Sequence, residues 1–254
     1  MTTTYEGLAA EHYDEFWSQE DFNDIEFFLH LTQNADGPVL DAGCGSGRVL
    51  VPLAEAGLLV TGTDSSPEML ERCRANLKRT GQSASLHEQR MEELALDGKF
   101  ASIFVPGASF QLLTDRDAAA QALNRFFDHL EPGGQLVLAT FIPWEDLLDE
   151  RHDGKWRLHR ELERNDNKTV FCHTISEANR HEQLLQTWHR YEVFDEEGEL
   201  TQTEMHKLTL RWYGIHEMTL LLEKHGFKNV MTYGDFLDEP AADGHTAIAF
   251  RAEK

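Results

Sequence analysis

The chain has 254 residues, 41% of them apolar, and a formal net charge of -22. That length buries the core of one large domain, or of one domain with an embellishment. The acid excess argues against nucleic acid and against an anionic membrane surface, because both bind through clustered Lys and Arg, and it reads either as a well-solvated surface or as adaptation to high salt.

The opening segment, MTTTYEGLAAEHYDEFW, has no basic start followed by an apolar stretch, so no secretory signal is expected. It holds a helical stretch containing Tyr5, Tyr13, Asp14, Phe16 and Trp17. In DFNDIEFFLHLTQ, Phe22, Ile25, Phe28 and Leu29 fall at helical spacing. Gly37-Pro38 breaks the chain and releases a short apolar strand, Val39 to Ala42. A helix is predicted from Arg48 to Ala56, and a second strand, LLVTGT, ends at Asp64. Ser66-Pro67 opens the next helix, with Pro67 in its first turn, where a missing amide hydrogen costs nothing, and Gly81 stops it.

Ser83 to His87 reads as a weak strand and Phe100 to Val105 as a strong one. Asp115 to Leu130 is amphipathic, with Ala118, Ala122, Phe126 and Leu130 along one side. Glu131-Pro132-Gly133-Gly134 is a turn that cannot continue a helix, and it feeds the apolar strand QLVLATF. Five strands, each followed by a helix or turn, imply a parallel sheet covered on both faces, with ligands beyond the carboxyl ends of its strands.

After Pro143 the pattern changes. WRLHRELER, KTVFCHTISEA, EQLLQTWHRYEVF and ELTQTEMHKLTLRWY are long, partly alternating and rich in Thr, Val and aromatics. With turn signals at Asn165-Asp166-Asn167 and Glu196-Glu197-Gly198, they predict four antiparallel strands. Ile215 to His225 returns to helix, stopped by Gly226. FKNVMTYGD and TAIAFRA close the chain as strands. The expected fold is therefore α/β: a doubly wound, mostly parallel seven-stranded sheet with an antiparallel β insertion after the fifth strand. The expected segments are an N-terminal helical lid over 1–36, a cofactor-binding core over 37–142, the insertion over 143–213, and completion of the core sheet over 214–254.

The chemistry gathers in VLDAGCGSGR, residues 39–48. Gly43, Gly45 and Gly47 stand at alternate positions after an apolar strand, so the backbone can turn tightly and approach a ligand. The spacing departs from the G-x-G-x-x-G dinucleotide fingerprint, with Arg48 where the last glycine should stand. Asp41 would repel a pyrophosphate and would suit an ammonium group. Asp64, at the end of the second strand, can accept both hydroxyls of a ribose. A ribose and a cationic amino-acid tail without phosphate describe S-adenosylmethionine.

VLDAGCGSGR, VTGTDSSPEML and LEPGGQLVLAT together resemble the motifs of class I S-adenosylmethionine-dependent methyltransferases, with the likeness running from Val39 to Phe141. The resemblance implies a Rossmann-like fold and methyl transfer to a small-molecule N or O acceptor. It sets Asp41, Gly43, Gly45 and Gly47 against the methionine part of the cofactor, Asp64 on the ribose, and Ser65 and Met69 near the adenine. Many members carry an acid after the third strand for the adenine amine. Here that position is Arg90, which can only donate, so Gln89 or Met91 is expected to make the contact.

In the family the loop VPGASFQLL, from Val105 to Leu113, faces the methyl group, which makes Pro106 a cofactor neighbour and Ser109 and Gln111 cofactor or substrate contacts. Related small-molecule enzymes fold an N-terminal helix over the cofactor, which makes Tyr13 the expected lid residue. Such enzymes use an insertion like 143–213 for substrate binding and dimer contacts.

Along one inserted strand Trp188 and Arg190 point one way and His189 and Tyr191 the other. One face is a candidate pocket lining, with Trp156 and Arg190 as substrate residues. The other is a candidate packing or homodimer surface. A sulfonium supplies its own electrophile, so no metal is expected, and an amine acceptor must be neutral when it attacks. His173 and His189 are the candidate bases, as histidines in the insertion. Cys44, Cys73 and Cys172 have neither zinc nor disulfide spacing, and a reducing cytoplasm is expected. Two alternatives stay open: an NAD-dependent oxidoreductase, and a non-catalytic S-adenosylmethionine-binding protein.

Overall fold

A computed structural model describes residues 5–17, 24–32, 37–147 and 154–254, and they divide into two compact units. One comprises Phe22–Ile142 and Trp212–Lys254. Its elements are α3 (Asp24–Thr32), β1 (Val39–Ala42), α4 (Leu50–Glu55), β2 (Val60–Asp64), α5 (Pro67–Thr80), β3 (Ser85–Glu88), β4 (Phe100–Val105), α6 (Arg116–His129), β5 (Leu130–Phe141), α8 (Ile215–Lys224), β10 (Lys228–Gly234) and β11 (Ala247–Glu253). The other unit is Met1–Asp21 with Pro143–Arg211. It contains α1 (Gly7–Glu11), α2 (Tyr13–Trp17), α7 (Trp144–Leu147), β6 (Arg157–Glu163), β7 (Thr169–Asn179), β8 (Leu184–Phe194) and β9 (Leu200–Arg211). Phe22, counted above toward the helix now seen as α3, lies outside the described residues.

The first unit is built on a seven-stranded sheet of order β10-β11-β5-β4-β1-β2-β3. β3, β2, β1, β4 and β5 run parallel, while β11 is antiparallel to β5 and β10 to β11. The expected doubly wound sheet of seven strands is what forms. β1 and β4 sit at its centre and are buried on both faces, as in a covered parallel sheet. Ser66 caps α5 by accepting from the Met69 amide at 3.2 Å, Pro67 fills the first turn, and Gly81 ends the helix at φ 71°. The 131–134 segment is an excursion within β5: Leu130 pairs with Phe100, and pairing resumes at Gln135 with Ser102.

The second unit is an antiparallel sheet of order β6-β7-β8-β9. Its register sets Cys172 opposite Tyr191 and His173 opposite Arg190. The face bearing Cys172, Tyr191, Val170 and Val193 packs under Leu8, Ala9 and Phe16 from α1 and α2. The other face carries His173, Trp188, Arg190 and Glu192.

Phe104 on β4 is fully buried, its ring 5.2 Å from that of Phe28 on α3. Phe104→Ala is expected to destabilise the seven-stranded unit by about 3–5 kcal/mol, through lost transfer energy and a cavity that close packing cannot refill. Urea titration compared with the wild type measures it.

Candidate functional site

The carboxyl ends of β1, β2, β3 and β4 lie on one edge of the seven-stranded sheet because those strands are parallel. β1 hands over to the glycine bend, and the amides of Gly43 and Cys44 both donate to the Thr63 carbonyl of β2, at 2.7 and 2.9 Å. Gly43, Gly45 and Gly47 have φ of 81°, 55° and 88°, a region that side chains disfavour. Space makes the same demand. A Cβ on Gly43 would lie 2.7 Å from Met91 Cε and 2.9 Å from Ser109 Cβ, and one on Gly47 would lie 2.7 Å from Cys73 Sγ. On Gly45 it would meet Met69 Cε at 3.2 Å. The bend after β1 therefore touches the loops after β3 and β4 and the first turn of α5. Of the expected residues, Gly43, Gly45, Asp64, Met69, Met91 and Ser109 are gathered here, with Ser65 beside Asp64 and Pro106 buried at the end of β4.

Asp64 is held by this bend. Its Oδ2 accepts from the Gly45 amide at 2.9 Å and its Oδ1 from the Ser66 amide at 2.8 Å. Burial pushes its carboxyl above the usual range, against the hydrogen bonds from Ser66, Gly45 and Ser65. Each oxygen keeps a lone pair for a further donor.

Asp41 differs. It is 0% exposed and neither carboxylate oxygen has a hydrogen-bond partner, with the Leu50 amide nearby but outside hydrogen-bond geometry. Burial pushes its carboxyl up to about 7; Arg48 pulls it down, and Asp64 and Asp24 push it up. An unpartnered buried carboxylate within a turn of bare backbone fits a small cationic group. Asp41, Gly43, Gly45, Gly47 and Asp64 thus fit a nucleoside that carries a cationic amino-acid tail.

One expectation for this unit, at Gln111, needs correction. Gln111 is fully buried, its Nε2 donating to the Phe141 carbonyl at 2.9 Å and its Oε1 accepting from the Phe141 amide at 2.7 Å. Both ends of the amide tie the loop after β4 to the end of β5, so Gln111 is a strut and not a substrate contact. Arg90, standing where many relatives have an acid, pairs with Glu92 through Nε at 2.7 Å, so its charge is already answered. Sequence reasoning missed the partner of Arg48, which is Asp24 of α3, because their pairing depends on tertiary packing across 24 positions.

In the other unit the candidate bases separate onto opposite faces of the sheet. His173 Nδ1 lies 3.3 Å from Glu192 Oε2, and Arg190 Nε reaches the same oxygen at 3.1 Å. Arg190 stacks on Trp156, with its guanidinium carbon 4.9 Å from the ring centre, so the two expected substrate residues do meet. His189 lines a cavity of about 120 Å³ with Tyr5, Tyr13, His159, Arg160, Tyr191 and His206. Burial first, then His206, His159 and Arg160, push its imidazole down to about 3. It is a neutral side chain of low basicity. Tyr13, expected to cover the cofactor, packs edge-on against Tyr5 at 5.3 Å within this unit. His206 went unmarked because nothing in its spacing predicts which strand register brings it beside His189.

Residues 39–134 match the family described as a methyltransferase domain. The chain is 24% identical to a protein of Bacillus subtilis (strain 168) whose name gives methyltransferase and no acceptor, over 98% of this chain and 97% of the relative. It is 27% identical to the dTDP-3-amino-3,4,6-trideoxy-alpha-D-glucopyranose N,N-dimethyltransferase of Streptomyces venezuelae, over 69% of this chain and 73% of that one. Its fold is similar to the crystal structure of an S-adenosylmethionine-dependent methyltransferase from Clostridium acetobutylicum ATCC 824, with a TM-score of 0.78 and 17% identity over 96% of both chains.

Gly43→Ala combines a left-handed φ with two contacts under 3.0 Å, to Met91 and Ser109. It is expected to lower stability by about 1–3 kcal/mol and to weaken nucleoside binding at least tenfold. Thermal melting and calorimetry read the two effects separately.

Proposed function

We propose that this chain, whose residues 39–134 match a methyltransferase domain, is a class I S-adenosylmethionine-dependent methyltransferase that methylates the amine of a small molecule. The observation that carries the cofactor reading is the unpartnered Asp41 carboxylate inside the triple-glycine bend. The amine acceptor is supported by the Streptomyces venezuelae relative, whose name specifies an amino-sugar N,N-dimethyltransferase. With a net charge of -22, a nucleic-acid acceptor is disfavoured for lack of clustered cations.

When bound, S-adenosylmethionine supplies an electrophilic methyl group on a sulfonium. In this reading Asp41 holds the ammonium group and the bare backbone of Gly43, Gly45 and Gly47 closes around the methionine part. Asp64 accepts from the ribose hydroxyls. Ser65, Met69 and Met91 border the adenine, and Pro106 and Ser109 border the methyl. The carboxylate of Asp41 and the loops after β3 and β4 orient the donor and shed its water, which is most of what an in-line displacement asks of a protein.

The four-stranded unit supplies the acceptor-binding groups, with Arg190 braced on Trp156. Between the two histidines, His173 has the arrangement of a base, with a carboxylate beside its ring, and we assign it the amine's proton. His189, depressed to about 3, is not assigned that role. The nicotinamide alternative is set aside: residues 39–134 match a methyltransferase domain, and Asp41 would oppose a pyrophosphate.

No helix among the described residues is long and apolar enough to cross a membrane. The three cysteines are free and buried, which suits a reducing cytoplasm.

Calorimetry is expected to give micromolar binding of S-adenosylhomocysteine and none of NAD, with Asp41→Asn weakening the nucleoside at least tenfold. With methyl-labelled cofactor and a panel of small amines and alcohols, label is expected on an amine. His173→Gln is expected to lower kcat, while His189→Gln keeps turnover. A panel in which only alcohols or RNA take up label overturns the amine reading.

A further inference from the structure

Asp24, the first residue of α3, is 2% exposed and grips Arg48 with both oxygens: Oδ1 to Nη1 at 2.7 Å and Oδ2 to Nη2 at 2.6 Å. Arg48 immediately follows the last glycine of the bend. Its guanidinium acts through space on Asp41, whose own oxygens stay without partners. The groups acting on Asp41 are thus one cation, Arg48, and two further carboxylates, Asp24 and Asp64; the Cys44 thiol also lies within reach of its charge.

A carboxylate buried alone takes up a proton rather than stay charged. To attract an ammonium group, Asp41 has to be an anion before that group arrives. Arg48 is charged at every accessible pH. A free arginine so close would fold onto Asp41 and occupy the oxygens the ligand needs. The planar two-point grip of Asp24 prevents that, because a bidentate guanidinium–carboxylate pair fixes both distance and plane.

We propose that Asp24 and Arg48 are positioning residues for the cofactor: Asp24 holds the guanidinium in place, and from there Arg48 favours the anionic form of Asp41 while leaving its oxygens open. The inference rests on the cofactor reading above. It gives α3 a functional task, since Asp24 reaches the glycine bend from a helix that precedes β1.

The sign of the pH dependence follows. Asp41 binds ligand as the anion, so affinity falls as pH drops through its pKa. Removing Arg48 raises that pKa and moves the fall to higher pH. Removing Asp24 frees Arg48 to pair with Asp41, which competes with ligand at every pH.

The test is calorimetric affinity for S-adenosylhomocysteine between pH 5.5 and 8.5, with folding checked by circular dichroism. Relative to wild type, Arg48→Gln is expected to bind about tenfold more weakly at pH 7 for each unit by which the Asp41 pKa rises, and to recover toward pH 8.5. Arg48→Lys restores much of the wild-type profile. Asp24→Asn is expected to lose affinity evenly across the range. An Arg48→Gln profile equal to wild type, or lowered evenly with no recovery, overturns the inference. Should Arg48→Gln not fold, Asp24→Asn decides: affinity equal to wild type at every pH overturns it. Wild-type protein that binds no S-adenosylhomocysteine at any pH removes the cofactor reading and this inference together. Wild type that binds, with variants indistinguishable from it, removes the inference alone.

Discussion

A fully buried carboxylate with no hydrogen-bond partner among the described residues is the constraint around which the seven-stranded unit is arranged. Asp41 sits at the carboxyl end of a strand buried on both faces, where an isolated anion is unstable. The surroundings partly offset that cost with one fixed guanidinium and leave the rest uncompensated. A group kept in that state at the mouth of a glycine bend has a use for a cation. The neighbouring features follow from it. The bend is bare because any Cβ on Gly43 or Gly47 would strike Met91, Ser109 or Cys73. The loops after β3 and β4 converge because parallel strands deliver their carboxyl ends to one edge.

Asp64 shows the contrasting solution a few ångströms of backbone away. Its oxygens take the amides of Gly45 and Ser66, so it is anchored and partly satisfied. An acid fixed this way offers its remaining lone pairs in set directions, as neutral hydroxyl donors need. Asp41 offers charge with little direction, as an ammonium group needs. The two carboxylates thus differ in environment more than in distance, and environment decides which part of a zwitterionic nucleoside each can recognise.

Most of this site was legible before any coordinates. The glycine spacing, the two acids at strand ends, and the alternation of strand and helix are local signals, and each element formed within a few residues of its expected bounds. What stayed hidden depends on contacts between distant segments. Gln111 looked like a polar loop residue facing a ligand, yet its amide is matched at both ends by the Phe141 backbone, 30 positions away. Arg48 was visible as a departure from the dinucleotide pattern, but its partner Asp24 was not. For the inserted strands, period-two alternation separated His189 from Arg190 correctly. It could not show that burial would strip His189 of its basicity, with His206, His159 and Arg160 adding to the effect, because that depends on what neighbouring strands bring around it.

Arg48 also explains why a turn so close to a dinucleotide-binding one serves opposite chemistry. A pyrophosphate site needs bare amides, a helix dipole and no nearby anion. Here the following helix α4 has six residues, and the strand end carries Asp41. A glycine at position 48 would leave Asp41, Asp24 and Asp64 as three carboxylates with no cation among them. Asp41 would then protonate, and the bend would attract neither phosphate nor ammonium. The arginine that breaks the dinucleotide spacing therefore draws a strand-end carboxyl toward its charged form, and Asp24 fixes where that arginine stands.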